Sequence, residues 1–172
     1  MIDKHMKSAI TISLVEEARK GPFVYHDGLA DGCARAAAAG FDAVEIFVPS
    51  FDPLPELAGL LEQHHLKLAA IGTGAGWVKH KLSLTDGNEN KRAKAVAYVK
   101  GVIDLAAQYD APAIIGSMQG RSGEGVSHQG AILHLKGSLE QLGDYAKERG
   151  QSLFYEPLNR YETNLFNTLA EG

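Results

Sequence analysis

Glu156, Asn159, Arg160 and Glu162 stand within one short run, Glu156-Pro157-Leu158-Asn159-Arg160-Tyr161-Glu162, and carry the chemistry most easily read from this chain. The apolar residues Leu153-Phe154-Tyr155 precede them, and Pro157 follows the first acid directly. Proline has no backbone donor and a fixed φ, so a strand ends there and Glu156 is expected at its carboxyl tip. In parallel α/β sheets that end is where ligands bind. A carboxylate at a strand tip, with an amide, a guanidinium and a second carboxylate on the loop beyond, reads as a polar substrate site. An Arg–Glu pair that only braces a loop has the same composition, and both readings stand at this point.

The rest of the chain must position that run. Its 172 residues are enough for one domain with a real core. With 45% hydrophobic and 22% charged residues it has the balance of an ordinary globular protein. A net charge of −4 gives no basic footprint for a phosphate backbone, so no nucleic-acid partner is expected. The single cysteine, Cys33, excludes an intrachain disulfide and a Cys-based zinc cluster. No stretch reaches the roughly 20 apolar residues of a membrane span, so no membrane partner is expected. No secretory leader is visible, and the expected location is cytoplasmic. Residues 1–7 read as a flexible N-terminal arm and 8–172 as one domain.

Apolar and amphipathic stretches alternate along that domain. Ala9–Val15 reads as a first strand, followed by a loop carrying Tyr25 and His26. Asp27 is placed to cap a helix with Leu29, Cys33, Ala36 and Ala37 inward, ended by Gly40. Cys33 lies on that stripe and reads as core. Ala43–Val48 is a second strand. Asp52-Pro53 is expected to open a helix burying Leu54, Leu57, Ala58 and Leu61, with His64 and His65 solvated near its end.

Leu68–Ile71 is a third strand running into Gly72-Thr73-Gly74-Ala75-Gly76-Trp77. That turn lacks the G-x-G-x-x-G spacing, with a helix opening at once, of a dinucleotide site. Close approach of a small ligand to the backbone at Gly74 is the expected use, and Trp77 either walls a sugar pocket or caps a rim. A long helix from about Asn88 to Tyr109 buries Ala95, Val99, Val102, Ile103 and Ala106. Pro112–Met118 is a fourth strand, and a helix ending at Arg149 buries Ile132, Leu135, Leu139, Leu142 and Ala146. The fifth strand follows, and Leu165–Gly172 reads as the start of another helix. Strict strand–helix alternation with near-continuous apolar strands is the pattern of parallel strands covered by helices. Periodicity alone leaves an open doubly wound sheet and a β/α barrel as alternatives.

The run from Glu156 to Asn164 resembles the xylose isomerase-like TIM-barrel superfamily, closest to its sugar isomerase and epimerase branch of ketose 3-epimerases and hydroxypyruvate-isomerase-like enzymes. Weaker matches are Gly40-Phe41-Asp42-Ala43-Val44-Glu45, the Gly72-Thr73-Gly74 turn, Ala111-Pro112 and Ile115-Gly116-Ser117. The resemblance implies an α/β fold of the parallel (β/α)8 TIM-barrel type, incomplete here, since such barrels take about 250 residues. It implies metal-dependent isomerisation or epimerisation of a small sugar or hydroxy-keto acid through an enediolate. Glu156 would be both ligand of one divalent metal (Mn, Mg, Co or Zn) and proton-transfer base. Glu162 would hold substrate hydroxyls, while Asn159 and Arg160 shape the loop. The remaining ligands, an Asp, a His and another Glu, are expected beyond Gly172. Activity of this chain alone is therefore not expected. Exposed edge strands make a homo-oligomer, or association with the missing half, the expected state.

Three rivals remain. An endonuclease of the same superfamily needs histidines at strand ends where this chain has Gly72-Thr73-Gly74 and Ser117-Met118-Gln119. His26, His80 and His128 follow the first, third and fourth strands and could in principle join Glu156 in a zinc site, though no ligand spacing supports one. A non-catalytic barrel fragment acting only through association is the third. Glu45 points either into the barrel or to a neighbouring strand as a brace, and the brace is the expectation.

Overall fold

In the computed structural model, which describes residues 6–172, five parallel strands form one sheet in the order β1-β2-β3-β4-β5. They are β1 Ala9–Ser13, β2 Ala43–Phe47, β3 Lys67–Gly72, β4 Ala113–Ile115 and β5 Leu153–Tyr155. Each strand pairs with the next in sequence, so the chain winds in one direction without the reversal that defines a doubly wound sheet. That order is the β/α-barrel order, with five strands of it here. Most of the arm expected at residues 1–7 lies outside the described residues; Met6 and Lys7 carry no regular structure.

The helices are α1 Leu29–Ala38, α2 Leu57–Gln63, α3 Ala75–His80, α4 Glu89–Ala107 and α5 His128–Glu148. All but α3 cover one face of the sheet, while α3 contributes Trp77 and Val78 to the cavity beyond the strand ends. The side chains of Ile12, Ile46, Ile71 and Ile115 are buried on that face with Cys33, Val99, Val102, Leu135 and Leu142. Packing there is close: a Cβ on Gly32 of α1 would lie 2.7 Å from Ile12 Cδ1. Cys33, fully buried, is part of this core. Because strand side chains alternate, the opposite, concave face receives Thr11, Glu45, Phe47, Gly72 and Ile114.

Helix ends follow local chemistry in most places. Asn88 caps α4 by accepting from the Asn90 and Lys91 amides, and Ser127 caps α5 through Gly130 N. Gly40 has φ +82 just past α1, a conformation costly for any residue with a Cβ. The expected buried residues of α4 are all buried.

Four expectations need correction. Asp27 does not cap α1, whose N-cap is Gly28; its carboxylate instead lies 3.8 Å from Arg19 and 3.7 Å from Arg35, drawn by two cations. The second helix begins at Leu57 rather than at Asp52-Pro53, because Pro55 disfavours helical backbone at Leu54, and Ala58 faces solvent. The glycine turn does open into a helix at once, the short α3, which carries Trp77. Leu165–Gly172 forms turns rather than a helix: Glu171 accepts from the Asn167 and Thr168 amides, and Asn167 Nδ2 donates to Leu158 O at 2.7 Å, tying the segment down by side-chain bonds.

Candidate active site

The concave face and the loops beyond the carboxyl ends of the strands enclose a cavity of about 1060 Å³. Glu156 is the residue immediately after β5, and its amide continues the ladder by donating to Ile115 O at 3.0 Å. Its carboxylate opens into the cavity at that end. Oε2 lies 2.9 Å from where a Cβ on Gly116 would stand, so glycine on the neighbouring strand is what leaves room for the acid. Fully buried Gln119 fixes the backbone below it. Gln119 Nε2 donates to Glu156 O at 2.9 Å and to Gly116 O at 3.1 Å, while its Oε1 accepts from Tyr155 OH. Burial pushes the Tyr155 phenol up to about 12, so it remains a donor.

Glu45 lies in the middle of β2 and faces the same cavity. The β2–β3 register slips by one residue between Val44 and Glu45, an irregularity of the kind that re-aims side chains. Glu45 Oε1 rests 3.3 Å from the position a Gly72 Cβ would take. The brace expected of Glu45 is absent, because its carboxylate makes no ion pair or hydrogen bond among the described residues. Desolvation, then the charge of Glu156, raise its pKa to about 7. Glu156 is raised as well, by burial and then by the charge of Glu162. Burial is thus the leading cause of both shifts, and a negative charge on Glu156 adds to the preference of Glu45 for its protonated form.

Beyond Pro157 the chain turns on Asn159. Its Oδ1 accepts from Tyr161 N at 2.9 Å, its carbonyl accepts from Glu162 N at 3.0 Å and Thr163 N at 3.2 Å, and its Nδ2 donates to Glu162 Oε2. Asn159 thereby holds Glu162 at the cavity wall without lining the cavity itself. Arg160 also lies outside the lining residues; its guanidinium turns to the Tyr161 hydroxyl at 3.2 Å. Trp77 and Gly74 both line the cavity. What excludes a Cβ at Gly74 is the protein itself, with Phe47 Cε2 at 2.8 Å and Ser117 Oγ at 2.9 Å, rather than space kept for a ligand.

Three loops are fastened to one another at the mouth. Thr85 Oγ1 donates to Arg121 O at 3.2 Å and accepts from Arg121 N at 3.1 Å, joining the loops after β3 and β4. Thr163 Oγ1 donates to Gly120 O at 2.7 Å, and Asn164 pairs both ways with the Ser122 backbone, joining the loops after β4 and β5. The sequence reading found none of these partners, nor Gln119; each works only through residues some 36 to 43 positions away.

The donor set suits a divalent cation in one respect: Glu45, Glu156 and Glu162 share a cavity, and none forms an ion pair with Lys or Arg among the described residues. It does not form a complete shell, since no three His, Cys, Asp or Glu side chains among the described residues converge closely enough to hold a metal ion. His26 is occupied otherwise, with Nε2 2.8 Å from Phe23 O, and His80 packs beside the Tyr98 ring. No helix of the structure is long and apolar enough to cross a membrane.

The sequence profile of the xylose isomerase-like TIM-barrel family matches residues 33–172. No curated protein sequence matches significantly. Among solved structures, a 3-keto-D-glucoside 4-epimerase from E. coli superposes with a TM-score of 0.69 at 17% identity, over 96% of this chain and 62% of that one. A D-allulose 3-epimerase from Methylomonas sp., in complex with D-allulose, gives 0.68 at 21% identity, over 96% and 56%. A family 2 AP endonuclease from Brucella melitensis gives 0.63 at 18% identity, over 95% and 60%. At these identities the likeness concerns the fold, and the chain spans little more than half the length of these proteins.

Proposed function

This chain belongs to the xylose isomerase-like TIM-barrel family, and from that premise we propose that the protein is an isomerase or epimerase that moves a proton on the carbon beside a carbonyl of a small sugar or hydroxy-keto acid. One observation carries the proposal. Glu156 opens from the carboxyl end of β5 into a cavity shared with Glu45 and Glu162, with no Lys or Arg paired to any of the three among the described residues.

A hydrogen next to a carbonyl is weakly acidic, so its removal needs a well-placed base and stabilisation of the negative charge that develops on oxygen. Glu156 is the base: it stands at the tip of β5 facing the cavity, and Gln119 holds its backbone in place. Glu45, raised to about 7, carries a proton below neutrality and there can donate it in a hydrogen bond to a substrate oxygen, so base and acid share one cavity. Glu162, held by Asn159, accepts from substrate hydroxyls at the wall. Trp77 offers an apolar face against which a sugar ring or chain excludes water. Glu156 is also the residue that would hold one divalent metal, of the Mn, Mg, Co or Zn class, which when bound supplies Lewis-acid stabilisation of the oxygen charge.

The endonuclease reading has a solved fold relative but is disfavoured by chemistry. A net charge of −4 and a floor of carboxylates repel a polyphosphate strand. A purely associating fragment leaves three carboxylates facing one cavity without a purpose. The test is calorimetric titration with Mn²⁺, followed by NMR of D-fructose and D-allulose in D₂O with metal present. Deuterium entering the carbon beside the carbonyl, lost in Glu156→Gln, supports the proposal. Metal binding without exchange is the outcome expected of these five strands alone, whose remaining ligands are expected beyond Gly172. Exchange that survives Glu156→Gln, or absence of metal binding, rejects Glu156 as base and metal ligand.

A further inference from the structure

Glu45 and Glu156 lie at the floor of the cavity, and two cations without a carboxylate partner among the described residues lie at its mouth. Glu45 is in mid-strand and Glu156 at a strand tip, whereas Lys81 comes nine residues beyond the end of β3 and Arg121 six residues beyond the end of β4. Both cations line the cavity, and neither forms an ion pair with a carboxylate among the described residues. A third, Lys91, is already matched by Asp86 at 3.8 Å.

Both free cations are held from behind. Lys81 closes α3 in a left-handed conformation (φ 54), and its ammonium lies 5.3 Å from the Trp77 ring centroid, donating to Val78 O at 3.3 Å. Arg121 is fixed through its backbone, since Thr85 Oγ1 engages both its amide and its carbonyl, while the adjacent Gly120 (φ +80) packs so tightly that a Cβ would lie 2.0 Å from Ser83 Oγ. The backbones are built into the stapled rim, and the charged ends are left without anions. Glu17 and Glu124 also reach the rim, so its summed charge does not attract anions in general; two cations on held backbone, without carboxylate partners among the described residues, do so locally.

We propose that Lys81 and Arg121 bind the anionic terminus, phosphate or carboxylate, of an open-chain hydroxy-carbonyl substrate whose carbonyl end lies on the acidic floor. This rests on the sugar-site reading of the cavity and narrows its substrate class to the anionic members. Arginine suits the role because its planar fork matches a phosphate or carboxylate, and lysine adds a point charge.

Trp77 is the only tryptophan of the chain, so its emission reports on this cavity. The experiment titrates the protein, in the presence of Mn²⁺, with D-fructose, D-fructose 6-phosphate, hydroxypyruvate and inorganic phosphate, reading Trp77 fluorescence and calorimetric heat. D-Fructose 6-phosphate is expected to bind at least tenfold more tightly than D-fructose, with the advantage shrinking as salt rises. Lys81→Gln and Arg121→Gln should each reduce that advantage several-fold, and the double variant should abolish it. Tighter binding of hydroxypyruvate than of the phosphate ester would assign the site to carboxylates. Equal affinity for D-fructose and its 6-phosphate, or an advantage that survives the double variant, overturns the inference while leaving the sugar reading intact. Phosphate binding that depends on Lys81 and Arg121, without any binding of D-fructose, upholds the subsite and rejects the sugar chemistry.

Discussion

Glu45 on β2 and Glu156 beyond β5 send their carboxylates into one cavity, each against a glycine of an intervening strand, near enough that the charge on one holds the proton on the other. Burial raises the proton affinity of both acids, and the charge of Glu156 adds to the shift at Glu45.

That relationship has a signature in stability against pH. The Glu45 carboxyl is raised from 4.5 to about 7 on folding, so the folded state binds this proton more tightly than the unfolded chain. Stability linked to Glu45 is full below about 4.5 and falls as pH rises to about 7, by up to about 3 kcal/mol. Denaturant unfolding of wild type and Glu45→Gln at pH 5 and pH 8 measures it. The variant should lose this dependence and gain on wild type at pH 8; parallel curves would show that Glu45 is not the titrating group.

Glycine substitutions separate a displaced acid from a broken fold. Gly116→Ala meets the free end of the Glu156 side chain at 2.9 Å, which can swing away. The expected stability loss is below about 1 kcal/mol, with Mn²⁺ affinity reduced at least tenfold. Gly120→Ala combines φ +80 with hydroxyls at 2.0 and 2.2 Å and should cost about 2–4 kcal/mol. Thermal unfolding and metal titration of both proteins give the comparison, and equal effects on both readouts would contradict it.

Gln119→Leu keeps the volume but strands the Tyr155 hydroxyl and releases the Gly116 and Glu156 carbonyls. The expected cost is about 2–3 kcal/mol in urea unfolding. Gln119→Glu keeps an acceptor for the phenol but turns a buried carboxyl oxygen onto two carbonyl oxygens, so at neutral pH it should cost at least as much as Gln119→Leu and recover as pH falls.

Association follows from the sheet. Among the described residues β5 pairs only with β4, and half-exposed Phe154 adds apolar surface to that strand. Open edges pair with available strands. Sedimentation should show self-association that rises with concentration, reduced by Phe154→Lys. A monomer at all concentrations would mean that the edge is protected in solution.

Much of this was already written in the chain. The apolar runs and their alternation with amphipathic segments determined five parallel strands covered by helices, because side-chain period is local and burial rewards it. Pro157 determined that Glu156 ends a strand, since a missing donor acts on its own residue. Only the tertiary structure decided that β1 to β5 lie in sequential order, because pairing depends on which edges meet and not on any one strand's pattern. Only it set Glu45 in the cavity, where β2 slips register against β3, and joined Gln119, Thr163 and Thr85 to partners far along the chain. Local geometry is dictated by neighbours in sequence; proton affinity and the seating of a carboxylate are dictated by neighbours in space.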